Sequence, residues 1–144
     1  MVQTLPDPET QAEFYAGVQL KRLLAWLVDA ALISAGVLAF GLLTFGLGLL
    51  LFPLLSLAAN FAYRALTLAR FSATPGMWLM AIEIRNAQGQ RLSGQEAVLH
   101  TVLHLACFAL LLPQIASCVM VALRPRHDGL HDLPLGTTAI NRPG

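Results

Sequence analysis

The stretch AALISAGVLAFGLLTFGLGLLLFPLLSLAANFAY, residues 30–63, contains no charged side chain. As one helix its 34 residues would extend about 51 Å, against a bilayer hydrocarbon core of about 30 Å. A single crossing cannot absorb that length, so the chain has to turn. Helix-weakening residues gather at Thr44-Phe45-Gly46-Leu47-Gly48, which makes this the turn. The reading is a first span near residues 22–44 and a second near 48–69.

Composition agrees. Hydrophobic residues make up 56% of the 144 and charged residues 12%, about half the charged share of a soluble domain; mean hydropathy is +0.65. A small core cannot hide so much apolar surface, which excludes a disordered chain, a nucleic-acid binder and an ordinary soluble enzyme. Net charge is only +1. Cys107 and Cys118 lie inside apolar sequence and form no disulfide framework. Asp7, Glu9 and Glu13, with no Lys or Arg among the first twenty residues, are the reverse of a signal peptide's basic start.

Working outward, residues 1–20 form a polar tail, 21–141 a membrane domain and 142–144 the C-terminal end. Within the domain, a polar belt covers 70–96. Thr74-Pro75 reads as an N-cap and first helical position. Met80, Ile82 and Ile84 alternate with Ala81, Glu83 and Arg85 as a strand does. Ser93 and Glu96 make a capping box that starts a helix at Gly94. A third apolar block, about 97–123, has Pro113 at its middle, so it is either one kinked span or a re-entrant pair of helices. Residues 136–140 have strand character. The expected fold is thus an all-α membrane protein: a transmembrane helical hairpin, a third apolar helical block and a small cytoplasmic β element. Lys21, Arg22, Arg64, Arg70, Arg85 and Arg91 flank the hairpin on one side only, which puts the N-terminus and belt in the cytoplasm. Arg124, Arg126 and Arg142 join them only if the third block re-enters.

Asp29 stands within apolar sequence and needs a partner. With the chain turning between Gly46 and Leu47, Arg64 lies level with it across the hairpin, so an Asp29–Arg64 pair is expected, with Arg22 near the surface. Ser56, Asn60 and Arg64 form one inward polar stripe at i, i+4 and i+8, opposite a small face of Ala31, Ala35 and Ala39. Such a pair either locks two helices or serves a proton or ion site. His100, His104, Cys107, Leu111, Gln114 and Cys118 share a seam of the third block. His100 and His104 have the spacing to share a metal with Cys107, but histidines satisfied by water or carbonyls are the commoner case, and no metal site is assigned.

Together these residues resemble the RDD family of small bacterial membrane proteins. Its arginine and first aspartate match Arg22 and Asp29; its loop motif matches Thr74-Pro75-Gly76-Met77; its closing motif, with the second aspartate, matches Asp132 to Gly136-Thr137. The resemblance runs from about residue 17 to 141. Met77 stands where the family usually has lysine, Ala81 where it usually has glycine, and Pro134 is unusual in the closing motif. It implies an inner-membrane, multi-pass protein of undefined molecular function, with a polar core of Arg22, Asp29 and Asp132 and suspected transport. The alternative is a structural or accessory subunit whose ion pairs only hold helices together. Pairing of 80–85 with 136–140 would place Asp132 near Arg22 or Arg70. No phosphate loop, nucleophile elbow or dinucleotide signature is present, so neither enzyme chemistry nor a cofactor is expected. The expected partners are the bilayer and a second copy or another membrane protein, not nucleic acid.

Overall fold

A computed structural model describes residues 4–143. The first long helix, α1 (Val18–Leu43), ends at Thr44. There the Thr44 hydroxyl donates to the Phe40 and Gly41 carbonyls and accepts from the Gly48 amide. Phe45 and Gly46, both at positive φ, reverse the chain. Next come α2 (Leu47–Leu50) and α3 (Phe52–Phe71). The second helical stretch is therefore broken at Leu51 rather than running unbroken from residue 48. Pro53 explains the break, because its ring would clash with a carbonyl one turn earlier in a continuous helix.

In the belt, Thr74 caps α4 (Pro75–Leu79) by accepting from the Met77 amide. β1 (Ile82–Arg85) pairs antiparallel with β2 (Thr138–Asn141), placing Ile82 opposite Asn141 and Arg85 opposite Thr138. Ile82, Ile84 and Ala139 bury against Val18, Leu68 and Met77. Met77, at the family's lysine position, thus fills an apolar core. Strict alternation fails at Glu83, which is buried beside Arg85 and bonded to its guanidinium. Ala81, at the family's glycine position, has φ +56°, a left-handed conformation that costs an L residue about 1–2 kcal/mol. Ala81→Gly is accordingly expected to gain about 0.5–1 kcal/mol after glycine's extra chain entropy is subtracted. Thermal unfolding in detergent would register the gain, and a lower Tm would refute it.

The Ser93–Glu96 capping box starts α5 (Gly94–Ala109). Leu110 adopts an extended conformation, and α6 (Leu111–Leu123) departs at 113°. Pro113 thus opens a new helix, where an amide hydrogen would lack a partner anyway, instead of kinking a continuous one. The bend also splits the predicted seam: His100, His104 and Cys107 lie on one helix, Leu111, Gln114 and Cys118 on the next.

Among the described residues one continuous stretch, Ala12–Leu43, is long and apolar enough to cross a membrane; α5 and α6 qualify only as a bent pair. Only 17% of that stretch's most apolar window is buried, so its hydrophobic side chains face outward. The polar segments meet at one end. Lys21 donates to Asn141 at 2.6 Å, and Asn141 donates to the Glu13 and Ala16 carbonyls.

Candidate functional site

Two aspartates organise that end. Asp132 precedes a short 3-10 turn, Leu133–Leu135, and is fully buried. One carboxylate oxygen accepts from His100 Nε2 at 2.8 Å and the Thr137 hydroxyl at 3.0 Å; the other accepts from Arg22 at 3.0 Å and the Gly129 amide at 2.8 Å. Gly136, at φ +64°, turns the chain so that Thr137 reaches back. Arg22 also donates to the His127 carbonyl and to His131 Nε2. Arginine has no lone pair to offer, so His131 is a neutral acceptor there and carries its proton on Nδ1, beside the Ser117 hydroxyl at 3.4 Å.

The electrostatics agree. Burial, reinforced by the Arg22 charge and opposed by Asp132, pushes His131 down to about 3. Burial alone would raise Asp132, but Arg22 and the surrounding donors outweigh it and hold the carboxyl well below the usual range. The two groups act in different pH windows. Unfolded histidine titrates near pH 6.5, so between about 6.5 and 3 the unfolded chain binds a proton that folded His131 refuses. Stability should fall with acidification through that window by up to about 1.4 kcal/mol per pH unit. Asp132 adds its own loss only below about pH 4, where the unfolded carboxylate protonates. Unfolding midpoints from pH 7 to 5 should therefore slope downward in wild type and less steeply in His131→Gln, which keeps an acceptor for Arg22. Equal slopes would assign the effect elsewhere.

Asp29 is held differently from the sequence expectation. Its carboxylate accepts from the Tyr63 hydroxyl at 2.7 Å, the Thr74 hydroxyl at 2.5 Å and the Gly76 amide at 2.8 Å. None of the ion pairs among the described residues joins Asp29 to Arg64. The predicted level was nearly right, but adjacent helical residues point about 100° apart. Tyr63 takes the bonding position on Asp29, and the Arg64 guanidinium lines the same space without pairing with it. The loop motif thereby gains a physical meaning. Thr74 caps α4 and donates to Asp29, Pro75 occupies the first turn, and Gly76 lets the α4 backbone touch α1, where a Cβ would lie 2.2 Å from the Ala25 carbonyl oxygen.

Arg64 opens onto a cavity of about 240 Å³ between α1, α3 and α5. Asp29, Ser34, Ser56, Asn60 and His104 also line it, with Trp26, Phe52 and Phe108 as apolar walls. The predicted stripe Ser56, Asn60, Arg64 therefore shares one chamber. Arg64 is buried, yet among the described residues its guanidinium has neither a hydrogen-bond nor an ion-pair partner; Nε and Asn60 Oδ1 are both buried without one. A larger groove of about 360 Å³ between α1 and α3 is walled by apolar side chains and Tyr63.

His100, His131 and Asp132 bring three ligand-type atoms within 4.8 Å of one another. This differs from the His100, His104 and Cys107 set that spacing suggested: His104 packs edge-on to the His131 ring, and Cys107 is not in the group. A metal there would have to displace the Arg22 guanidinium, which already bonds His131 and Asp132. Sequence reasoning missed Tyr63, His131 and Ser117. The first two are immediate neighbours of residues it singled out, whereas Ser117 gave no signal of its own.

The model of the RDD family matches residues 15–136. No curated protein and no solved structure matches the chain.

Proposed function

Since this chain belongs to the RDD family, we propose that it is a multi-pass protein of the bacterial inner membrane that handles a small polar solute in the Arg64 chamber. On this reading α1 and α2–α3 form the transmembrane hairpin, while the α5–α6 pair enters the bilayer and returns. N- and C-termini both face the cytoplasm. The sharp bend after Ala109 supports re-entry, as does the tie between β1 and β2 at the Arg22 end. Re-entry also gathers all nine Lys and Arg on one side. A reporter fused after Gly144 should be active in the cytoplasm; activity on the far side would refute re-entry.

One observation carries the transporter-like reading: a polar chamber with a buried cation that has no ion-pair partner among the described residues, set among helices whose outer faces are apolar. Ionisable groups within membrane segments are rare and commonly mark solute or ion pathways. No enzymatic step or cofactor is part of the proposal, and a second copy or another membrane subunit would complete a path that so few helices cannot enclose. Osmotic swelling of proteoliposomes in salts of small ions tests it. Swelling that needs the protein and falls in Arg64→Met is expected, whereas identical swelling of protein-free vesicles would overturn transport. The second reading, an accessory subunit, is favoured by a separate fact: Asp132 is fully buried and accepts four hydrogen bonds, so it has no open face for a passing ion.

A further inference from the structure

We propose that the chamber between α1, α3 and α5 binds a short-chain monocarboxylate, with its carboxylate on Arg64 and its apolar chain against Trp26, Phe52 and Phe108. The inference rests on the chamber being the working site, but it concerns binding, which is measured apart from flux.

The argument begins with what each charged group in the chamber lacks. Asp29 lines the same space, but its oxygens already take donors from Tyr63, Thr74 and Gly76. Arg64 has five N–H donors; its Nε is buried without an acceptor, and no ion pair among the described residues engages the guanidinium. A buried guanidinium left so is costly, and the missing partner is an acceptor, preferably an anion. Planar carboxylate matches the guanidinium fork in a bidentate way that a spherical ion cannot. Asn60, one turn before Arg64, supplies a second contact. Its side chain lines the chamber, and the amide can donate an N–H to the same anion. Ser56 and Ser34 add hydroxyls along the wall.

The other walls decide against a bare inorganic ion. Trp26, Phe52 and Phe108 would gain nothing from a hydrated anion but would bury a few methylene groups at about 0.8 kcal/mol each. Size limits the ligand as well. About 240 Å³ lies below the roughly 300–1,000 Å³ of pockets for drug-sized molecules, which leaves room for a few carbons and excludes a whole phospholipid acyl chain.

Trp26 is a built-in reporter, and Trp78→Phe removes the other tryptophan. In detergent-solubilised Trp78→Phe protein, butyrate should change Trp26 fluorescence saturably. Affinity should fall at least tenfold in Arg64→Met, which deletes an unpaired buried charge and so should still fold, and fall less in Arg64→Lys. Asn60→Leu should also weaken binding. A butyrate response unchanged by Arg64→Met, or none up to 50 mM (on the order of the weakest useful affinities), overturns the proposal. Chloride or phosphate binding as tightly as butyrate overturns the carboxylate assignment. Native mass spectrometry supplies the last arm: a phospholipid retained by wild type and lost from Arg64→Met would give the site to a lipid headgroup instead. Binding without flux would refute the transport reading while this inference stood; flux without butyrate binding would do the opposite.

Discussion

Asp132→Ala should cost about 3–5 kcal/mol of folding stability, the usual penalty for removing one partner of a buried ion pair. The side chain is fully buried and satisfies four donors at once, from α1, α5, the Gly129 amide and Thr137. Alanine leaves the Arg22 charge, 10% exposed, without its counter-ion and the His100 N–H without an acceptor, and it removes two ties between the C-terminal segment and these helices. Denaturant titration in detergent measures the loss. Asp132→Asn should cost less, since one amide oxygen still accepts. Arg22→Met combined with Asp132→Ala should cost less than the two single changes added, because each alone strands the other's partner. A loss below about 1 kcal/mol for Asp132→Ala, within the range of an ordinary hydrogen bond, would mean that the network is not what holds this end together.

Gly76→Ala is expected to be nearly as damaging, although it adds a single methyl group. The new Cβ would lie 2.2 Å from the Ala25 carbonyl oxygen and 2.8 Å from an Asp29 oxygen. The nearest atom belongs to helix backbone and cannot swing aside, so α4 has to lift from α1. Overpacking of this kind costs about 1–3 kcal/mol. Lifting α4 also stretches the Gly76 and Thr74 bonds to the Asp29 carboxylate, each worth about 1.5–3 kcal/mol when the acceptor is charged. Gly36→Ala is the matched control. It lies in the same α1 helix with nothing within 4 Å of its Cβ, and should be neutral or gain up to about 1 kcal/mol from helix propensity. Equal losses at both positions would indicate a general intolerance of side chains and not a contact between α4 and α1.

Much of the fold was legible because local rules settle it. The capping box put the start of α5 at Gly94, Thr74-Pro75 opened α4, and the glycine cluster put the reversal within residues 44–48, each through short-range backbone chemistry. Two distant segments were each legible as strands, and their pairing, considered only as a condition, is what the structure shows. What escaped needed information across helices. Asp29 was known to require a partner, and the level of that partner was nearly right, yet whether Tyr63 or Arg64 faced it depends on a helix rotation that a polar stripe does not determine. For the same reason Arg64, expected to be spent on an ion pair, has none among the described residues and faces the chamber. Glu83 was placed outward by alternation, but a two-stranded sheet with helices packed on it can bury both faces when Arg85 satisfies the carboxylate. Leu110 carried no glycine or proline to announce the break there, and Pro113 marked it only from three residues away.

The bond between Arg22 and Asp132 joins residues 110 positions apart. A ribosome adding about 5–20 residues per second delivers the aspartate roughly 5–20 s after the arginine. During synthesis Arg22 therefore emerges long before its counter-ion, and its place near the start of α1 leaves the long side chain able to reach polar surroundings meanwhile. The lock can close only after most of the chain has been made. A chain cut before Asp132 should insert yet stay open at that end, in the form that quality-control proteases recognise.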